Sequence, residues 1–137
     1  TQIKELTDNL QRLQAEFENY KKRVHTECSD FKQFSNAELI KKLLSIIDNF
    51  DLALSHAKQK DEFYKGIELI YSQIMELLRN EGVEVINPIN EKFDPYKHEA
   101  LLAEPSDKPS NTVLEVMQKG YTMNKTILRH AKVKVSK

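Results

Sequence analysis

The sequence predicts an α+β protein: a long N-terminal helix pairing in a parallel dimer, a short second helix completing a four-helix bundle, and a small antiparallel β domain at the C-terminal end. Three observations carry this. From Ile3 to Ala57 there is neither proline nor glycine, and apolar residues return in three- and four-residue steps. The prolines Pro88, Pro95, Pro105 and Pro109 come later, among short apolar segments of strand type. A helix over the first run would be roughly 80 Å long at 1.5 Å per residue, more than the remaining residues can wrap, so its stripe calls for a second chain. The expected divisions are residues 1–38 as a dimerising helix, 39–82 as a helical hairpin and 83–137 as the β domain.

Within the first helix Ile3, Leu6, Leu10, Leu13, Phe17, Tyr20 and Val24 keep a seven-residue repeat, the pattern of a left-handed two-stranded coiled coil. Val24, Cys28, Phe31 and Ser35 then form an eleven-residue unit, which relaxes the supercoil so that the paired helices run almost straight. From Leu39 the stripe widens. Leu39, Ile40, Leu43, Leu44, Ile46, Ile47, Phe50 and Leu54 cover too much of the circumference for one seam, as in a bundle.

Asp61 is a fair N-cap for a helix over 62–80, whose stripe is Phe63, Ile67, Ile70, Ile74 and Leu77 and whose stop is Asn80-Glu81-Gly82. Two such hairpins, one from each chain, make the four-helix bundle. Gly66 lies inside this helix, where close approach of another backbone and a neutral accident are both open readings. Strands are expected at 83–86, 100–103, 112–117, 127–129 and 131–135, with alternation clearest over Ala131, Val133 and Val135. Six cations and one acid lie between Thr112 and Lys137, so one edge of the domain should be positive and suited to an acidic partner.

Composition excludes several classes. Lys and Arg number 21 against 21 Asp and Glu, which leaves no net field toward nucleic acid or membrane. The densest apolar run, Leu43 to Ile47, is far too short to span a bilayer. No secretory leader is evident, and the chain opens at Thr1 already in heptad phase, so it is read as part of a longer protein. Cys28 is the single cysteine, which rules out an internal disulfide and suits a reducing compartment.

No constellation for chemistry emerges. His25, His56, His98 and His130 show no metal-ligand spacing, and none of the three glycines builds a phosphate loop. Asp48 and Asp51, three apart, read as a solvated helix face rather than paired catalytic carboxylates. Lys21-Lys22-Arg23, flanked by Glu16, Glu18 and Glu27, reads as a solvated face more than as a nucleic-acid grip. A binding protein is expected, not an enzyme. From these residues alone, a dimeric coiled-coil scaffold with a β peptide- or nucleic-acid-binding module also stands open.

Phe93-Asp94-Pro95-Tyr96-Lys97-His98-Glu99-Ala100-Leu101, then Gly120-Tyr121-Thr122-Met123-Asn124 and Leu128-Arg129-His130-Ala131-Lys132-Val133-Lys134-Val135, resemble the GrpE family of nucleotide exchange factors. Asn19 to Arg23, Gly66 to Leu69 and Gly82 to Ile86 follow in the family's order, so the resemblance extends over essentially the whole chain. It implies a homodimer whose β domain enters the nucleotide-binding cleft of a DnaK-type chaperone and speeds ADP release. It implies no cofactor, metal, small-molecule ligand, nucleic acid or membrane. It further implies long helices that melt reversibly on heating, and a prokaryotic cytoplasm or an organelle matrix as the setting. By position, the implied contacts are Met117, Tyr121, Asn124, Arg129 and Val133 on the β domain, with Lys22 and Arg23 on the helix. The family usually has glycine then arginine after the hairpin asparagine, where this chain has Lys125 and Thr126; Lys125 is expected to replace the charge without arginine's planar fork. From its place on the basic edge, Arg129→Glu is expected to weaken chaperone binding and leave the fold intact.

Overall fold

Helical periodicity gives way to strand alternation at Val83, and the computed structural model, which describes residues 1–137, follows that change. Three helices, α1 (Gln2–Phe34), α2 (Ala37–Ser55) and α3 (Glu62–Asn80), precede six strands. These are β1 (Val83–Ile86), β2 (His98–Glu104), β3 (Val113–Gln118), β4 (Gly120–Met123), β5 (Thr126–Arg129) and β6 (Ala131–Ser136). The chain divides into two units, Thr1–Asn36 and Ala37–Lys137.

The expected single helix over 3–57 is corrected: a turn at Ser35 and Asn36 interrupts it, and α2 stops at Ser55. Serine and asparagine side chains compete for their own backbone, and the Ser35 hydroxyl donates to the Lys32 carbonyl at 3.3 Å. In the first unit α1 buries no residue at all. Leu6, Leu10, Leu13, Phe17, Tyr20 and Phe31 are exposed and Val24 half-buried, while Lys21 lies 4.6 Å over the Phe17 ring and Arg23 5.3 Å over that of Tyr20.

In the second unit, Asp61 caps α3 by accepting the Tyr64 N–H at 2.9 Å. Ile40, Leu44 and Ile47 of α2 meet Leu78 of α3, Val83 of β1 and Tyr121 and Met123 of β4 in one core. Ile47, expected to help join two chains within the bundle, is therefore corrected: it is 1% exposed and belongs to this chain's own interior. Leu43 and Ile74 pack against the same core, and Phe50 tilts on Tyr71 with ring centroids 6.4 Å apart. Ile67 is half-buried and Ile70 exposed. A Cβ on Gly66 would meet nothing within 4 Å, so no backbone of this chain accounts for that glycine.

Gly82 ends α3 with φ +87°, donating to the Arg79 carbonyl, and a Cβ there would stand 2.3 Å from the Asn124 side-chain oxygen. Only glycine meets both demands. The strands form two three-stranded sheets, ordered β1-β4-β5 and β2-β6-β3. The expectation of an all-antiparallel domain is corrected by β2 and β6, which pair in parallel. Such a pair needs a long crossover, and β3, β4 and β5 supply it. Ile86, Val113, Ala131, Val133 and Val135 make a second core.

His98 opens β2 at 6% exposure, its Nδ1 accepting the Asp94 N–H at 2.9 Å and its ring tilted on Phe93. Burial pushes its pKa below the ordinary 6.5, against the opposing pull of Asp94 and Glu91. The fold favours the neutral ring, so its contribution is complete above the unfolded value and is lost as pH falls below it, where the unfolded chain takes up the proton first. His98→Asn keeps an acceptor for the Asp94 amide but cannot titrate. Its urea midpoint should therefore fall less than that of the unchanged chain between about pH 7.5 and about pH 5; an equal fall would assign the acid sensitivity elsewhere.

Candidate functional site

The β4–β5 hairpin and the side chains beneath it form the most densely organised polar region of the second unit. Met123 pairs with Thr126 across a two-residue loop in which Asn124 and Lys125 have φ of 51° and 70°. Positive φ at both positions is the type I′ geometry that suits strand twist. Asparagine tolerates it; lysine is strained there. The Asn124 N–H donates to the Gly82 carbonyl at 3.0 Å, which ties the hairpin tip to the end of α3. Lys125→Gly is expected to stabilise the second unit by about 1 kcal/mol, raising its urea midpoint. A lower midpoint would show that the lysine side chain makes a compensating contact.

Arg129, at the end of β5, reaches across to α2. Its Nη1 and Nη2 donate to the two Asp48 carboxylate oxygens at 2.7 and 2.5 Å, while Nε and Nη2 donate to the Lys119 carbonyl at 2.9 and 2.7 Å. Gln118 Nε2 donates to Asp48 at 3.0 Å, Lys119 Nζ to Asp51 at 3.2 Å, and the Tyr71 hydroxyl to Asp51 at 2.7 Å. The Arg129 and Asp48 side chains are 18% and 19% exposed. A planar fork on a carboxylate in such partial shelter is among the stronger polar contacts a protein makes.

The phenols respond to these acids. Burial, then the Asp51 contact, pushes the Tyr71 hydroxyl well above its ordinary pKa. Burial, then Asp51 and Asp48, pushes that of Tyr121 up to about 12. The Tyr121 ring lies 5.3 Å beneath the Arg129 guanidinium, and its buried hydroxyl has no hydrogen-bond partner. Beside the network, an open groove of about 360 Å³ runs between α2 and the end of β3, with Leu52 and Met117 on its rims.

The sequence-derived contact residues separate into groups. Met117 is 47% exposed, Lys125 is exposed and Asn124 half-buried. Tyr121 and Val133 are each 0% exposed, which corrects their assignment as partner contacts: their side chains fill the two cores. Arg129 is engaged by Asp48. Lys22 and Arg23 are exposed on α1, in the other unit. The positive edge is partly neutralised within the chain, since Lys119 and Arg129 meet Asp51 and Asp48, and Lys134 sits 3.3 Å from Glu104 and 3.2 Å from Glu115.

Asp48 and Asp51, read from sequence as a solvated face, are the residues most altered by the structure. A signal for them existed. Ile40, Leu44 and Ile47 are buried in steps of four and three, and the next steps of four from Leu44 and Ile47 land on Asp48 and Asp51. Acids at positions that continue a buried stripe require cationic partners.

The family model described as GrpE matches residues 1–137. "Protein GrpE" of Methanosphaera stadtmanae is 44% identical over 137 residues, covering 99% of this chain and 79% of the relative. "Protein GrpE" of Alkaliphilus oremlandii is 42% identical over 139 residues, covering 99% and 74%. "Protein GrpE" of Methanobrevibacter smithii is 41% identical over 128 residues, covering 93% and 69%.

Proposed function

The chain belongs to the GrpE family, and from that premise we propose that it is a homodimeric co-chaperone that opens the nucleotide-binding cleft of a DnaK-type chaperone and accelerates ADP release. The observation that carries this reading is the family match over all of residues 1–137. The family acts without catalysis of its own. A cytoplasmic or organelle-matrix setting goes with the same reading.

Two features support the dimer. α1 has no buried residue, and a helix with no packed face is marginal in water. Leu39, Ile46, Phe63, Ile70 and Leu77 of α2 and α3 also remain exposed, as the facing half of a four-helix bundle requires. In this reading residues 1–38 dimerise, 39–82 form the bundle and 83–137 meet the chaperone through Met117, Asn124 and Lys125, with Lys22 and Arg23 as contacts from the helix. Exchange then follows from population shift: the protein drives the cleft open only by the margin with which it prefers the open form.

That margin is measurable by linkage. Binding titrations against the nucleotide-free and the ADP-saturated chaperone should give affinities differing by about tenfold or more, matched by an equal loss of ADP affinity. Equal affinity for both forms would reject exchange-factor function and leave a binding module without effect on nucleotide.

A further inference from the structure

We propose that Asp48 is a positioning residue for exchange: by clamping Arg129 it holds the β domain at a fixed angle to the α2–α3 hairpin, so that binding energy is transmitted to the chaperone's lobes. The proposal rests on the exchange-factor reading and deepens it. The covalent path from α3 to β1 passes through Glu81 and left-handed Gly82, where the Asn124 N–H is also tied, and the apolar core shared by α2, α3, β1 and β4 seats the domain without directional bonds of its own. Across the other side of the junction, the Asp48 carboxylate receives both arms of Arg129 and the Gln118 amide, while Asp51 receives Lys119 and Tyr71. The two acids thus bind the ends of β3 and β5 to α2 and, through Tyr71, to α3. Arg129 also grips the Lys119 carbonyl, so the strand ends cannot shift separately.

The mechanical consequence follows from population shift. A rigid wedge fits the open cleft and clashes with the closed one. A wedge on a loose pivot can rotate to accommodate either, which removes the preference while keeping much of the contact. Loosening the clamp should therefore lower the maximal exchange rate far more than it weakens binding. A purely structural role would instead raise the half-saturating concentration in proportion to the unfolded fraction and leave the saturating rate unchanged.

The test compares the full chain with Asp48→Asn and with Asp48→Glu, titrating each against an ADP-analogue-loaded chaperone and following release. For Asp48→Asn the saturating rate should fall about fivefold or more while the half-saturating concentration stays within about twofold. Hydrogen exchange of β5 and of α2 around Asp48 should rise in the same variant, and Asp48→Glu, which keeps a carboxylate for the Arg129 fork, should retain most of both the protection and the saturating rate. A saturating rate unchanged in Asp48→Asn, a parallel loss of rate and binding, or an equal loss of rate in Asp48→Asn and Asp48→Glu would each overturn the proposal. Failure of the unmodified chain to accelerate release would instead overturn the exchange-factor reading itself.

Discussion

Placing aspartate at both Leu13 and Val24 is expected to separate the paired long helices of the proposed dimer and unfold α1, the largest effect foreseen for any pair of substitutions. α1 accounts for 33 residues in helices of 33, 19 and 19, so its loss removes close to half of the helical circular dichroism. The reason lies in what supports it. Leu6, Leu10 and Leu13 are 61–66% exposed in the single chain, and each would recover roughly 1.5 to 3 kcal/mol only when a partner covers it. Four carboxylates facing one another across a narrow seam would cancel that gain. The Ala37–Lys137 unit has its own cores and should keep its strand signal. The bundle face of α2 and α3 is untouched, so sedimentation should report a weakened dimer, and unchanged helicity with unchanged dimer affinity would refute the seam assignment.

Arg129→Glu is expected to destabilise the second unit by about 3 kcal/mol or more, which reverses the sequence-based expectation that this change spares the fold. Glutamate there sets a carboxylate against Asp48, beside Asp51, and leaves the Lys119 carbonyl without its two donors. Arg129→Lys keeps the charge but only one arm, and should cost about 1 kcal/mol. The chain has no tryptophan, so urea unfolding is best followed by circular dichroism. Added salt should narrow the difference between the glutamate variant and the unchanged chain by screening the repulsion. Coincident midpoints for Arg129→Glu and the unchanged chain would show that the ion pair contributes nothing to the fold.

The helices were legible because their signal is local: a stripe recurring every three or four residues identifies a helix without reference to anything distant. The same holds for the α3 cap at Asp61 and the stop at Gly82. What escaped was long-range. Arg129 and Asp48 are 81 residues apart and Gln118 and Asp48 are 70 apart, and no local period records such a pairing. The parallel pairing of β2 with β6 escaped for the same reason, since alternation identifies a strand but not its neighbour. Tyr121 and Val133 show a further limit. They lie within the segments that carry the family resemblance, yet their side chains point into the cores, so membership of a signature segment does not by itself make a residue a contact. The break at Ser35 and Asn36 turned on two weak helix formers inside a pattern that otherwise continued.

Expulsion of ADP from a DnaK-type chaperone, as proposed for this protein, is read out by stopped-flow release of a fluorescent ADP analogue. Acceleration of about tenfold or more, saturating with the concentration of the dimer, is expected. A release rate unchanged across several such chaperones, with the protein shown to be folded and dimeric, would contradict it.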